Sequence, residues 1–252
     1  MRGQFKIVVP SFNCPDYLIK SLSSIQIQKN RNYQVCVIDD CSTLLRQKEI
    51  ILDFSRRNNW NSVFHKKNLG ALASVMDGIQ SLDCKDDDVI VVLDGDDWFY
   101  DDNTLETLNK IYSEEDVYVT WGSFMTFPPG CIHLNYADNV LQEVKDKKLF
   151  RNVLNIFGHL RTFKYRLYRE IHDEDLRDPE TKEYFRLSGD VALLYPLLEM
   201  AGDKSRFIPD IIYVYNINNP LNDFKLYGTE QMATTDYIRS KPIYPTLPEC
   251  QT

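Results

Sequence analysis

Three apolar runs in the first hundred residues, 5–9, 33–38 and 89–93, are nearly continuous rather than alternating. Runs of this length, rich in Val and Ile, predict strands covered on both faces, as in a parallel sheet. Between them the apolar positions recur at helical spacing. Pro15 fits the first turn of a helix reaching about Gln28, and a second helix is expected over 44–57, with Ile51, Leu52 and Phe54 as core positions. Residues 62–64 read as a short strand. The stretch 71–82 carries Leu72, Val75, Met76, Ile79 and Leu82 on one helical face, and a later helix carries Leu105, Leu108 and Ile111. A strand at 117–120 closes this series. Strand and helix thus alternate to about residue 120, the pattern of a doubly wound, mostly parallel α/β sheet.

The order loosens after Gly122. Phe127-Pro128-Pro129-Gly130 is a strong turn signal, and the stretch to about Glu143 fits no single period. Irregular stretches of this length are often binding loops or lids. A helix is expected over 190–200, with Leu194, Leu197 and Leu198 inward, then a strand at 211–215. The tail from Ser240 contains Pro242, Pro245 and Pro248 and is expected to be extended and peripheral, either mobile or wrapped on the body.

Polar clusters stand where three of the strands end: Pro10-Ser11-Phe12-Asn13, Asp39-Asp40 and Asp94-Gly95-Asp96-Asp97. In a parallel sheet all three open onto one edge, and ligands of open α/β sheets sit in the crevice beyond that edge. The third cluster is the most informative. Crowded carboxylates repel one another, so a cation is the natural partner, and a hard divalent metal would in turn hold a phosphate. An EF-hand loop is excluded because Trp98 stands at the third ligand position. An aspartyl phosphotransferase, with Asp94 as nucleophile, remains an alternative.

Composition narrows the field further. The 252 residues suffice for one sizeable domain, and 43% apolar with 26% charged residues is ordinary for a soluble globular protein. A net charge of -8 argues against nucleic acid or an anionic membrane as the main partner. The six cysteines are scattered, without a C-x-x-C pair or zinc-ligand spacing, and Cys36 reads as a small core residue. No apolar run approaches the length of a membrane span, and a strand begins too early for a signal peptide. The expected location is cytoplasmic, for a whole protein or a domain of a longer one.

Four motifs, Val8-Val9-Pro10-Ser11-Phe12-Asn13, Val37-Ile38-Asp39-Asp40-Cys41-Ser42-Thr43, Asn68-Leu69-Gly70-Ala71 and Val92-Leu93-Asp94-Gly95-Asp96-Asp97-Trp98, follow one another in the order and spacing of inverting family 2 glycosyltransferases. The chain resembles that family over about residues 4–124. A looser likeness continues through Gly158-His159-Leu160-Arg161-Thr162-Phe163 and Leu187-Ser188-Gly189-Asp190. The resemblance implies a GT-A (Rossmann-like) fold whose second half is less regular. A nucleotide-sugar-binding half would span 1–124, an acceptor-binding half of the same domain 125–232, and a peripheral Pro-rich tail 233–252.

The resemblance also implies roles. Pro10, Ser11, Asn13, Asp39, Asp40, Lys67, Asn68, Gly70, Asp94 and Asp96 would bind the nucleotide, with Asp40 on the uracil edge and Lys67 or Lys66 reaching the diphosphate. Asp96 and Asp97, with His159 as a third ligand, would hold Mn2+ or Mg2+. His159, Arg161 and Trp121 would meet the acceptor, and Asp190 would be the catalytic base. The implied activity is metal-dependent, inverting transfer of a hexose from a UDP-sugar to a hydroxyl of a glycan or glycoprotein. A non-catalytic nucleotide-sugar-binding module is the other alternative. His65, His133 and His172 are read as structural.

Overall fold

The computed structural model describes residues 3–129, 140–153, 156–221 and 223–247, with the backbone alone for 223–227. The first strand, β1 (Phe5–Ser11), is buried at all seven positions. It pairs in parallel with β2 (Tyr33–Asp39) from Phe5↔Tyr33 to Ser11↔Asp39, and β2 pairs in parallel with β3 (Asn61–Phe64). On its other side β1 pairs in parallel with β4 (Val89–Val92). The ends of β1, β2 and β4 therefore open onto one edge, as the polar clusters predict.

The connecting helices are α1 (Pro15–Gln26), α2 (Leu45–Asn58) and α3 (Ala71–Gln80). Alternation along the strands divides the apolar side chains into two layers. Phe5, Ile7, Val9, Val35, Val37, Val89 and Val91 face Leu18, Leu22 and Ile25 of α1 and Ile51 of α2. Leu105 and Leu108 of α4 (Thr104–Glu114) join the same layer. Val8, Cys36, Ile38 and Ile90 face the other way, onto Leu72, Val75, Met76 and Ile79 of α3. Leu52 is a correction: it lies on the outer side of α2 and is exposed, while Ile51 beside it is fully buried.

Beyond β4 the sheet changes character. Two short strands escape the apolar pattern, β5 (Trp98–Phe99) and β7 (Thr162–Lys164), because two or three residues carry no detectable period. β7 runs antiparallel to β4 and to β6 (Val119–Phe127), which lies parallel to β8 (Ser205–Asn216). With β5 antiparallel to β8, the order across the eight strands is β3-β2-β1-β4-β7-β6-β8-β5. β6 continues five residues past Gly122, so the irregular region starts later than its sequence suggests; residues 130–139 of it lie outside the described residues.

The expected helix at 190–200 is α7 (Gly189–Ala201), preceded by the short α5 (Gln142–Asp146) and α6 (Tyr165–Tyr168). α7 is buried over Val191–Ala201 and apolar there apart from Glu199, as suits a helix enclosed by sheet and neighbours. The final helix, α8 (Asp223–Ser240), packs beside it. The expected divisions after residues 124 and 232 therefore both fall within elements, β6 and α8. One apolar layer also joins Val8 to Leu194 and Tyr244.

Of the two behaviours expected of the tail, the described part is wrapped on the body. Arg151 forms a buried ion pair with Glu199 and donates to the carbonyls of Ile238 and Lys241. Glu199 in turn accepts the Tyr244 N–H at 3.0 Å, and Leu247 N–H donates to the carbonyl of Met200. Among the described residues, no helix is long and apolar enough to cross a membrane.

Candidate functional site

At the carboxyl edge of β1, β2 and β4 a cavity of about 680 Å³ opens between α3, α7 and α8. Its size lies within the ordinary range of small-molecule sites. The β1 turn contributes Pro10, Ser11, Phe12 and Cys14, and the β4 turn Asp94, Gly95, Asp96 and Asp97. Close approach of these two turns requires Gly95: a Cβ there would stand 2.6 Å from Ser11 Cβ and 2.8 Å from the Pro10 carbonyl oxygen.

The wall separates residues the sequence treats alike. Asp40, Asn68 and Gly70 line the cavity; Asn13, Asp39 and Lys67 lie outside it. Asp39 is wholly buried and accepts from Gln47 Nε2 at 3.1 Å and Ser42 N–H at 3.3 Å, so it braces the β2 turn. Asn13 accepts from Thr43 N–H at 2.9 Å and joins the first two turns. Lys67 is exposed and pairs with Glu183 at 3.0 Å. Asp40 accepts the N–H groups of Leu69 and Gly70, both at 2.8 Å, just where Gly70 takes a φ of +93° to start α3.

The three carboxyls after β4 are not equivalent. Asp97 is 1% exposed and accepts from the Tyr213 hydroxyl at 2.6 Å and the Asn216 N–H at 2.7 Å. Burial pushes its carboxyl well above the usual range, and the charges of Asp96 and Asp94 push it further. Asp96 is raised as well, by burial, against a 2.7 Å hydrogen bond from Asn219. The carboxyls crowd one another here, whereas the lining guanidiniums of Arg161 and Arg186 bond to Asp190 and Asn68. Tyr213, Asn216 and Asn219 fall in the aromatic and Asn-rich run 213–223, whose composition suits a sugar pocket and equally a strand and turn at the surface; of the three, Asn219 lines the cavity, while Tyr213 and Asn216 hold Asp97.

The opposite wall comes from the second half of the chain. Asp190, in the first turn of α7, has 43% of its side chain accessible and pairs with Arg161 Nη1 at 2.6 Å. Burial would raise its carboxyl, but the Arg161 charge and hydrogen bond outweigh that and hold it below the usual range. Arg161 is itself fixed by a 2.8 Å bond from Nε to the Phe157 carbonyl.

His159 also lines the cavity, with its ring stacked on Tyr213 at 4.9 Å and Tyr215 at 5.7 Å. Burial, and then the Arg161 charge, push it down to about 3, so it is neutral. Among the described residues no group of three His, Cys, Asp or Glu is placed to hold a metal ion. Asp96, Asp97 and His159 are thus not gathered into one cage. Trp121 is a clear correction. It is fully buried in the layer beneath α7, edge-on to Phe157 at 5.2 Å, and cannot touch an acceptor.

The family model for glycosyl transferase family 2 matches residues 6–177. The chain belongs to this family. Among curated relatives, an uncharacterized glycosyltransferase of Mycoplasma genitalium is 32% identical over 101 residues, covering 39% of this chain and 33% of the relative. Glycosyltransferase GlyA of Streptococcus pneumoniae is 29% identical over 121 residues, covering 48% of this chain and 17% of GlyA. The matched segments thus span a third or less of those relatives' length.

Two solved structures share the fold of this family 2 member. S. aureus TarS 1-349, in complex with UDP-GlcNAc, superposes with a TM-score of 0.66 at 17% identity, covering 93% of this chain and 65% of that one. The mannosyltransferase PcManGT from Pyrobaculum calidifontis, in complex with GDP-Man and Mn2+, gives 0.65 at 15% identity, covering 97% and 66%. The architecture is therefore that of GT-A glycosyltransferases: a mostly parallel sheet flanked by helices.

Proposed function

We propose that this glycosyltransferase moves a hexose from a UDP-sugar to a hydroxyl of a glycan or glycosylated protein, with inversion and with a divalent metal. The observation that carries the proposal is the cavity itself, which joins Asp40 and the Asp94–Asp96–Asp97 carboxyls to Asp190 on the facing wall. Sugar transfer needs both ends: a place for a departing diphosphate and a base for the incoming hydroxyl. The UDP-GlcNAc bound by S. aureus TarS and the Mn2+ bound by PcManGT support the donor class and the metal.

The donor set fits a hard cation. Carboxylate oxygens suit Mg2+ or Mn2+, and the raised Asp96 and Asp97 carboxyls mark a deficit that a cation would relieve. Such ions are held by one or two carboxylates together with substrate phosphates, so a three-residue protein cage is not required. Asp96 and Asp94 would hold it, with Asp97 behind them anchored by Tyr213 and Asn216. When bound, the ion would supply Lewis-acid neutralisation of the leaving diphosphate.

The chain's own residues supply the rest. Asp40, Asn68 and Gly70 would hold the nucleoside, and the Pro10-Ser11 turn would support it. Asp190 would take the acceptor hydroxyl proton as that oxygen attacks the anomeric carbon. Arg161 keeps Asp190 ionised and in place, and neutral His159 walls the acceptor side without competing for its charge.

Incubation with UDP-glucose, UDP-galactose and UDP-N-acetylhexosamines, with GDP-mannose for comparison, tests this reading. UDP release is expected with at least one UDP-sugar and is expected to stop with chelator. Neither binding nor release with any donor would overturn it; a phospho-aspartate at Asp94 with indifference to UDP would favour phosphoryl transfer instead.

Arg161→Gln gives a second check with a defined sign. Asp190 works as a base only when ionised, so activity falls as pH drops through its depressed pKa. Removing the Arg161 charge raises that pKa. The acid limb of the kcat profile is therefore expected to move to higher pH, and an unmoved limb would remove Arg161 from this role.

A further inference from the structure

His65 was expected to be merely structural, yet it stands between two carboxylates. Its Nδ1 lies 2.8 Å from Asp40 Oδ1 and its Nε2 lies 3.0 Å from Asp77 Oδ2. The His65 and Asp40 side chains are only 6% and 5% accessible, whereas that of Asp77, on α3, is 40% accessible. Resting on the nucleotide-sugar reading above, we infer that His65 and Asp77 are positioning residues that fix the Asp40 carboxylate for the nucleobase and thereby set donor affinity and base selectivity.

The reasoning follows from counting acceptor positions. An ionised carboxylate offers about four lone-pair sites. Asp40 Oδ1 receives the Leu69 N–H and the His65 ring, and Oδ2 receives the Gly70 N–H. Among the described residues this leaves one acceptor position, on Oδ2, in a residue that lines the cavity. A group with one open acceptor position selects a base edge that donates there, such as the imide N–H of uracil. A cytosine ring nitrogen, an acceptor, would instead set lone pair against lone pair.

That selectivity requires a carboxylate that does not rotate. The two backbone N–H groups belong to the turn that opens α3, so they hold Asp40 only as well as the turn is held. His65 ties Asp40 to α3 itself, through Asp77. With both ring nitrogens engaged, the imidazole plane is locked and with it the Nδ1 contact to Asp40.

Isosteric amides separate positioning from bulk packing. In His65→Asn the amide nitrogen takes the place of Nδ1 and can donate to Asp40. In His65→Gln it takes the place of Nε2 and reaches toward Asp77 instead. His65→Gln is expected to raise the UDP dissociation constant and the donor KM about tenfold with kcat within about twofold, and to narrow the preference for UDP over CDP. His65→Asn is expected to restore both to within about threefold, and Asp77→Ala, at an accessible position, to raise KM about three- to fivefold with an unchanged Tm.

The measurements are calorimetric binding of UDP and CDP to the full chain, steady-state kinetics with the active donor, and thermal melting. Equal effects of the Asn and Gln variants, or an unchanged KM in Asp77→Ala, would overturn the inference while leaving the functional reading intact. Failure of the unaltered chain to bind UDP would overturn both.

Discussion

Asp190→Asn is expected to lower kcat by about a thousandfold or more while leaving the UDP dissociation constant within about twofold of the parent, because removal of a general base costs about 10²–10⁴ in rate. The substitution preserves shape, and the amide oxygen can still accept from Arg161 Nη1, so the wall of the cavity stays in place. What is lost is the capacity to take a proton. Asp190 also stands across the cavity from the carboxyls expected to hold the diphosphate, which is why binding should survive. The dipole of α7 offers a different account, in which a first-turn carboxylate merely stabilises its helix. The two accounts diverge sharply. A helix-end role predicts near-normal turnover and a drop in Tm, and single-turnover kinetics beside thermal melting would show which occurs. Near-normal turnover would remove Asp190 as the base.

The second large effect is expected at the other end. Asp96→Asn should weaken UDP binding in the presence of Mn2+ by about a hundredfold and make affinity insensitive to chelator, since a cation held by Asp96 would supply several kcal/mol of charge stabilisation to the bound diphosphate. Asp96 is preferable to Asp97 for this test. Asp97 is buried beneath the Tyr213 hydroxyl and Asn216 N–H, so its removal would leave buried donors unpaired and confuse folding with binding. Asp96 accepts one bond from Asn219, which the amide oxygen of an Asn can keep. Calorimetry with UDP, with and without Mn2+, reads the effect directly. A parent protein whose UDP affinity ignores the metal would sink the metal assignment while leaving sugar transfer open.

The two ends of the cavity differ in how far they could be read before folding. Asp94, Asp96, Asp97, Pro10, Ser11 and Asp40 were identifiable because the strands preceding them are continuous apolar runs, and a strand's end fixes where its next residues lie. Asp190 was identifiable through resemblance and through its place at a helix start. Trp121 was misassigned for a different reason: it shares the apolar layer beneath α7 with residues that line the cavity, but its packing against Phe157 buries it fully, and no local pattern shows that. Asn13, Asp39 and Lys67 sit beside cavity residues in the chain, but hydrogen bonds to Thr43, Gln47 and Glu183 turn them away from it.

Other features had no local signal at all. β5 and β7 are too short to show a period, yet β7 joins β4 to β6 and β5 extends the sheet beyond β8. Tyr213 and Asn219 reach Asp97 and Asp96 across more than a hundred residues, and His65 meets Asp77 only because α3 folds back over the end of β3.

The sequence by itself determined the alternation of strand and helix, the edge at which the polar clusters open, and the family. These are properties of local period and of what directly follows each strand. The tertiary structure decided which carboxylates face the cavity, which are used up in bracing turns, and which charge holds Asp190 ionised. Those outcomes depend on hydrogen-bond partners and burial brought together from distant segments, and no local period carries them.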